Sequence, residues 1–196
     1  MGRRTQQKLA NQFRIIGGQW RSRRLEFPPA GGVRPTPDRV RETLFNWLGP
    51  LLHGARGLDL FAGSGALGLE GLSRGMASVH FVERDRQLVA ALRQHLADLG
   101  GQGEVVESDV PAFLGSARAP DQGPFDVVFL DPPWDAGLHL SVLAQLLDGG
   151  WLAPEACIYI EYRARQDAPE LPEGWEWRRQ SRAGDVGFGL AVRSES

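Results

Sequence analysis

The sequence predicts an α/β domain with a mostly parallel, doubly wound sheet. From residue 56 onward, short apolar segments of strand length alternate with segments whose apolar residues follow a helical spacing, as in a parallel sheet covered by helices. The chain has 196 residues, 42% hydrophobic and 23% charged, which is enough for one core. Two further β-like segments, 175–181 and 186–192, flank Ala183-Gly184-Asp185 and predict an antiparallel C-terminal edge.

Composition divides the chain into three regions. Residues 1–12 are polar and basic and are expected to form a flexible tail. Residues 13–35 contain two β-like segments, 13–18 and 19–28, which predict a small N-terminal β-hairpin followed by a Gly/Pro-rich connector. Residues 36–196 are expected to form the main domain.

Start and stop signals define the elements of that domain. Thr36 is expected as the N-cap of the first helix, with Pro37 at its first position. Asp85 is expected as the N-cap of a later helix that Gly100 ends. The other expected elements are strands at 57–61, 78–83, 104–108, 125–130 and 156–162, and helices at 66–74, after 108, and at 138–147.

Charge is distributed unevenly along the chain. Residues 1–48 carry ten Lys or Arg and three Asp or Glu, whereas the rest carries twelve and twenty-one, for a net charge of −2. A basic end on an acidic body predicts a polyanionic partner that is met by that end.

Composition also excludes several classes of protein. The single cysteine, Cys157, rules out an internal disulfide and a cysteine-rich metal site. The four histidines lie at unrelated spacings, so no metal is expected. No apolar run approaches the roughly 18 residues of a membrane span, and the polar N-terminus lacks the apolar core of a signal peptide. A cytoplasmic location is therefore expected.

Ligands of doubly wound sheets bind beyond the carboxyl ends of the strands. The first such end runs from Asp59 into Gly63-Ser64-Gly65-Ala66-Leu67-Gly68, a G-x-G-x-x-G turn that lets a ligand approach the backbone. Glu83 ends the second strand, where a carboxylate can hold a ribose diol. Asp109 follows the third and could accept a hydrogen bond from an adenine amine. These ends suit NAD and S-adenosylmethionine alike.

The fourth strand end, Asp131-Pro132-Pro133-Trp134, favours methylation of an exocyclic amino group. Such an amine is a weak nucleophile because its lone pair is delocalised into the ring. The Asp131 carboxylate and the Pro132 carbonyl could hold both N–H groups, and the prolines fix where that carbonyl points. Asp131 could also take the released proton, and Trp134 offers a face on which a planar base can stack.

These motifs carry a family resemblance. Asp131 to Trp134 resembles the [DNS]-P-P-[YFW] motif of amino-group methyltransferases, and Asp59 to Gly68 resembles their cofactor-binding motif. The segments RIIGGQWRSRRLEFP (14–28) and RPTPDRVRETLFNWL (34–48) extend the resemblance to the RsmD family, over residues 13–192. RsmD proteins are bacterial methyltransferases of guanine N2 in small-subunit (16S) ribosomal RNA, with a Rossmann-like class I fold. Phe or Tyr is commoner in the family at the position of Trp134.

The resemblance implies roles for individual residues. Those expected to act in catalysis are Asp131, Pro132, Pro133 and Trp134. Those expected to hold S-adenosyl-L-methionine are Asp59, Phe61, Gly63, Ser64, Gly65, Glu83, Arg84, Asp109 and Val110. From the basic N-terminal end, those expected to contact RNA are Arg21, Arg23, Arg24, Arg34, Arg39 and Arg41. The expected partner is 16S rRNA or the small ribosomal subunit, met by a monomer without membrane or metal.

Three other functions stay open at this stage. A DNA adenine or cytosine amino-methyltransferase would share the chemistry of Asp131 to Trp134, although no segment is left over for a target-recognition domain. An NAD-dependent oxidoreductase would leave that motif unexplained. A non-catalytic RNA-binding module would not need four aligned strand ends.

Overall fold

A computed structural model describes residues 11–29, 35–116, 124–133 and 137–194. In these ranges the strands are β1 (Asn11–Arg14), β2 (Arg24–Phe27), β3 (Arg56–Leu60), β4 (Ser78–Glu83), β5 (Gly103–Glu107), β6 (Phe125–Leu130), β7 (Leu152–Arg163), β8 (Trp175–Ala183) and β9 (Val186–Arg193). The helices are α1 (Asp38–Leu48), α2 (Ala66–Ser73), α3 (Arg86–Leu99), α4 (Val110–Ser116) and α5 (His139–Asp148), and a short 3-10 turn, Gly49–Leu51, follows α1. None of these helices is both long and apolar enough to cross a membrane.

Seven strands form one sheet in the order β5-β4-β3-β6-β7-β9-β8. Neighbours from β5 to β7 are parallel, whereas β9 is antiparallel to both β7 and β8. The chain winds outward from β3 through β4 to β5 and then returns to place β6 on the other side of β3, so the strand order reverses between β3 and β6. The predicted doubly wound sheet is confirmed, and its antiparallel strand lies one place inside the edge.

Helices cover both faces of this sheet. On one face, α1, α2, α3 and the β1–β2 hairpin share a core with Phe81, Phe129 and Tyr159. On the other face, α4 and α5 pack over side chains such as Leu60. Strand β6 is therefore buried on both faces from Val127 to Leu130, which explains its uninterrupted apolar sequence. Burying one such side chain contributes about 1.5–3 kcal/mol.

The helix that follows β4 begins and ends where the sequence predicts. The Asp85 carboxylate accepts from the backbone N–H groups of Gln87 at 2.8 Å and Leu88 at 3.2 Å, as an N-cap does. Gly100 ends the helix with a φ of 66°, the left-handed conformation that glycine adopts readily.

The start of α1 differs from the prediction. The helix begins at Asp38, and Pro37 occupies the N-cap position without a side-chain hydrogen bond. Thr36 is not the N-cap, because its hydroxyl group donates to the Glu161 carboxylate at 3.2 Å instead. A tertiary contact to a distant strand has replaced the local cap.

The N-terminal hairpin packs against the main domain. β1 pairs antiparallel with β2 and begins at Asn11, inside the predicted tail, while β2 is shorter than predicted because residues 15–23 form a connecting loop. The end of α2 holds this loop: the N–H groups of Gln19 and Trp20 donate to the carbonyl and hydroxyl oxygens of Ser73 at 2.8 and 3.0 Å. Trp20 is buried in the shared core.

Candidate active site

Acidic side chains gather on one face of the sheet at the carboxyl ends of its strands. In the parallel register, Asp59 of β3 pairs with Phe81 of β4 and Phe129 of β6, and Phe129 pairs with Tyr159 of β7. Side chains alternate between faces along a strand, so the residues two positions beyond these aromatics share the face of Asp59. Those residues are Glu83, Asp131 and Glu161, and together with Asp59 we call them the acidic edge.

The glycine-rich turn after β3 allows close approach between elements. Gly65 has a φ of 77° immediately before α2, and a Cβ atom there would lie 2.1 Å from the Leu92 side chain. A Cβ atom at Gly68 would lie 2.3 Å from the ring of Phe81. The turn thus lets α2 begin close to both α3 and the sheet, and it keeps the backbone at the strand end free of side-chain bulk.

Asp59 joins the end of β3 to the start of α2. Its carboxylate accepts from the N–H of Gly68 at 2.9 Å, and the side chain is buried. Burial raises the pKa of Asp59 well above its usual value; the Gly68 hydrogen bond lowers it, and the charges of Asp131 and Glu83 raise it further. Phe61, at the end of this strand, has a φ of 61° and is partly exposed at the turn.

Glu83 links the first two strand ends. One carboxylate oxygen accepts from the N–H of Gly63 at 2.7 Å, and the other accepts from the N–H of Asp85 at 2.8 Å. The residue is only 8% exposed. Each oxygen keeps a second lone pair, so the carboxylate is held in place and can still accept from the hydroxyl groups of a ribose.

The third strand end lies beside the second. The Ser108 N–H donates to the Glu83 carbonyl at 3.1 Å, which brings the loop after β5 next to the loop after β4. Asp109 is exposed there, immediately before α4, while Val110 is buried beneath it. Arg84 is exposed. An acceptor for an amine is therefore accessible at this end.

Asp131 stands directly beyond the buried strand β6. It is partly exposed, Pro132 is buried and Pro133 is exposed. Desolvation raises the pKa of Asp131 to about 7. Trp134, predicted to stack on a base, lies outside the described residues.

Glu161 belongs to the same edge and was not predicted. Its carboxylate accepts from the Tyr159 hydroxyl at 2.8 Å and from the Thr36 hydroxyl at 3.2 Å, and all three residues are buried. Burial raises the pKa of Glu161 well above its usual value, and the charge of Asp131 raises it further. A signal existed in the sequence, since Glu161 interrupts the otherwise apolar segment 156–162 one residue before its end.

The predicted RNA-contacting arginines are spread over different parts of the molecule. Arg21 and Arg23 are exposed in the connecting loop rather than on a strand, and Arg24 is exposed at the start of β2. That loop is tied to the last residue of the eight-residue helix α2, so it lies about 12 Å along the helix from the glycine turn. Arg39 is exposed in the first turn of α1, three residues after Thr36, whose hydroxyl group donates to Glu161. Arg34 lies outside the described residues.

The prediction that Arg41 contacts RNA is wrong. Its side chain is 0% exposed and donates to the Glu70 carboxylate at 3.2 Å, the Asp38 carboxylate at 2.6 Å and the backbone carbonyls of Thr36 and Arg14. Burial lowers the pKa of Arg41, while the charges of Glu70 and Asp38 raise it. Its role is to join α1, α2 and β1.

The acidic edge can hold a positively charged ligand that carries a ribose. It offers the fixed Glu83 carboxylate, the glycine turn from Gly63 to Gly65 and the Asp131 carboxyl group, which no arginine or lysine in the described residues pairs with. Among the described residues, no group of three or more His, Cys, Asp or Glu is arranged to hold a metal ion.

The chain is similar to known proteins over most of its length. The family model described as conserved hypothetical protein 95 matches residues 13–191. Ribosomal RNA small subunit methyltransferase D of Escherichia coli (strain K12) is 47% identical over 185 residues, 94% of this chain and 91% of that protein. The protein of the same name from Haemophilus influenzae is 41% identical over 181 residues, 91% and 93% of the two chains. The solved structure of a putative methyltransferase from Escherichia coli has a TM-score of 0.84 at 46% identity, covering 93% of this chain and 98% of the other.

Proposed function

The chain belongs to the RsmD family of small-subunit ribosomal RNA methyltransferases, and on that premise we propose that it transfers a methyl group from S-adenosylmethionine to N2 of a guanine in 16S rRNA. The relatives named ribosomal RNA small subunit methyltransferase D match nearly the whole length of the chain. With ribosomal RNA as substrate, the reaction takes place in the cytoplasm.

One observation carries this proposal: the Asp131-Pro132-Pro133 segment stands at the strand-order reversal, on the same face as the glycine turn. β6, which delivers Asp131, pairs directly with β3, which delivers the turn from Phe61 to Gly65. A ligand held at the turn therefore presents its reactive end to Asp131. Such adjacency is what transfer between a bound cofactor and an amine requires.

The residues at this edge fit S-adenosylmethionine. The backbone of the turn from Gly63 to Gly65 approaches its methionine part, Glu83 accepts from the ribose hydroxyl groups, and Asp109 accepts from the adenine amine. When bound, the cofactor supplies a methyl group on a positively charged sulfur. The acids at the edge favour that charge, because in the described residues no arginine or lysine pairs with Asp59 or Asp131.

The chain's own residues position the acceptor. The Asp131 carboxylate and the Pro132 carbonyl accept from the two N–H groups of the guanine amine, which directs its lone pair toward the methyl group. As the new N–C bond forms and the S–C bond breaks, the amine gives up one proton, and Asp131 takes it. Trp134 stacks on the guanine, which must leave its own stack to enter the site. Arg39 and the arginines of the hairpin loop contact the RNA backbone.

The test is to incubate the protein with labelled S-adenosylmethionine and with naked 16S rRNA, assembled small subunits or duplex DNA, and then to identify the labelled nucleoside. The proposal predicts N2-methylguanosine in the RNA. N6-methyladenine or N4-methylcytosine in DNA would instead establish the DNA amino-methyltransferase, which shares the chemistry of Asp131. A substitution of Asp131 by Ala serves as the inactive control.

A further inference from the structure

Glu161 and Asp131 occupy equivalent places on neighbouring strands. The last paired residues of β6 and β7 are Leu130 and Ile160, and Asp131 and Glu161 are the next residue on each strand. Adjacent strands are about 4.8 Å apart. Two carboxyl groups on the same face therefore meet at short range at the point where the acceptor amine would bind.

Hydroxyl groups, rather than cations, surround the Glu161 carboxyl group. Tyr159, on the same strand, and Thr36, ahead of α1, both donate to its Oε2 atom. From α5, the His139 ring lies with Nε2 2.8 Å from the Glu161 carbonyl oxygen, so this nitrogen donates and fixes the strand backbone. The charged group that faces Glu161 from β6 is the Asp131 carboxylate, which has the same sign.

Two desolvated carboxyl groups at this distance do not both ionise at neutral pH, because each charge opposes the other. Oε2 of Glu161 accepts two hydroxyl hydrogen bonds, and a carboxylic acid can accept them at its carbonyl oxygen. Oε1 is then the oxygen that carries the proton. Asp131 is the more exposed member of the pair, and it is the one that ionises first.

We propose that Glu161 is a positioning residue for methyl transfer: it stays protonated and, tied to Tyr159 and Thr36, it holds Asp131 in place as the charged member of the pair. This inference rests on the proposed function. The segment that leads into α1 then takes part in the reaction, because the Thr36 hydroxyl group donates to Glu161. The exposed Arg39, three residues later, places an RNA-contacting side chain on the same segment.

Single-turnover methyl transfer to 16S rRNA, measured from mildly acidic to mildly basic pH, tests the proposal in three variants. Glu161→Gln keeps a neutral group of the same shape, so we expect activity within about threefold of the unsubstituted enzyme and an acidic limb that stays at about pH 7. Glu161→Ala removes the support of Asp131 and is expected to lose about 10- to 100-fold in rate. Thr36→Val is expected to lose less, about threefold to tenfold, because Tyr159 still holds the carboxyl group.

Two controls separate this role from a structural one. Cofactor affinity and thermal unfolding should be close to those of the unsubstituted protein in the Gln variant. Infrared difference spectroscopy at neutral pH should show a protonated carboxylic acid that is absent from Glu161→Gln, and this readout needs no RNA, so it stands even if the RNA substrate is wrong. An acidic limb that moves to lower pH in Glu161→Gln would mean that Glu161 carries charge, and wild-type rates in Glu161→Ala would mean that it positions nothing. Either result overturns the proposal.

Discussion

Acidic side chains in two regions of this molecule have different partners. Around Glu70, which is 0% exposed, one carboxylate oxygen accepts from the Ile16 N–H at 2.8 Å and from Arg41 at 3.2 Å. The other accepts from the Gly17 N–H at 2.8 Å and from Arg74 at 2.6 Å. Two backbone amides and two guanidinium groups satisfy this carboxylate completely.

The acids of the acidic edge are not satisfied by guanidinium groups in this way. Asp59 accepts from one backbone amide, and Glu161 accepts from two hydroxyl groups. Burial raises the pKa values of Asp59, Asp131 and Glu161, and the charge of Asp131 raises those of Asp59 and Glu161 further. In the described part of the chain, no ion pair joins any of these three to an arginine or lysine.

The difference distinguishes a carboxylate that stabilises the fold, Glu70, from the acids that are available to a ligand. Glu70 joins the N-terminal hairpin loop, α1 and α2, and its cations come from the chain itself. At the sheet edge, no arginine or lysine in the described residues pairs with Asp131, so a positively charged cofactor would be the group that neutralises this carboxylate when it ionises. Such an edge destabilises the folded protein until its ligand binds, as strained or unmatched groups at functional sites do.

The largest effect on stability is expected from Glu70→Ala. This change leaves Arg41 buried without its main counter-charge and frees the hairpin loop, so we expect a loss of about 3–5 kcal/mol in the free energy of unfolding. Urea titration measures it. The control is Glu42→Ala, an exposed acid on α1, with a change within about 0.5 kcal/mol. A loss of under about 1 kcal/mol in Glu70→Ala would show that the buried network is not what holds the hairpin.

Asp131→Asn is expected to abolish methyl transfer and to stabilise the protein above neutral pH. A raised pKa in the folded state means that the protonated form is favoured, so stability is lost as pH rises through about 7. Because an amide at this position cannot ionise, the variant does not lose this stability as the pH rises. The melting temperature of the variant relative to that of the unsubstituted protein should therefore be a few degrees higher at basic pH than at acidic pH. A difference in melting temperature that is the same at acidic and basic pH would contradict the titration of Asp131 in this range.

A smaller effect is expected from Glu83→Gln, which replaces one of the two oxygens that accept from the backbone N–H groups of Gly63 and Asp85. The amide cannot accept hydrogen bonds at both positions as the carboxylate does, so S-adenosylmethionine should bind about tenfold more weakly, corresponding to one charged hydrogen bond. Calorimetry measures this. Glu107 pairs with Glu83 in the sheet register and is exposed, so Glu107→Gln is the matched control and should bind normally. Equal affinities in the two variants would remove Glu83 from the cofactor site.

The smallest effect is expected from the arginines that face solvent. Arg39→Ala should reduce the slope of log RNA affinity against log salt by about 0.7–0.9, the loss of one phosphate contact. The triple replacement of Arg21, Arg23 and Arg24 by Ala should flatten it further without changing cofactor affinity. Arg178→Ala, on the edge strand β8, is the control and should leave the slope unchanged. An unchanged slope in the triple variant would move the RNA contact away from the hairpin loop.

Most of the fold could be predicted because its signals are local. β4 and β6 have the predicted bounds, 78–83 and 125–130, since apolar runs bounded by turns define them. The same locality explains why Asp59, Glu83 and Asp131 could be singled out: each stands at the end of such a run, and parallel strands bring those ends together.

Thr36 and Arg41 could not be predicted because their partners are distant in the sequence. Thr36 bonds to Glu161, 125 residues away, and Arg41 pairs with Glu70, 29 residues away. A basic stretch shows only that charge is present, so Arg41 looked like its exposed neighbours. Thr36 looked like a helix cap because a threonine before a proline usually is one.

The most direct test of the unmatched acidic edge compares the binding of S-adenosylmethionine with that of its demethylated product, which lacks the positive charge on sulfur but keeps the same ribose, adenine and amino acid groups. Calorimetry on either side of neutral pH should show the preference for the charged ligand increasing severalfold as Asp131 ionises near pH 7. In Asp131→Asn this preference should be independent of pH. A preference that is flat in the unsubstituted protein, or that still rises with pH in Asp131→Asn, would contradict the account.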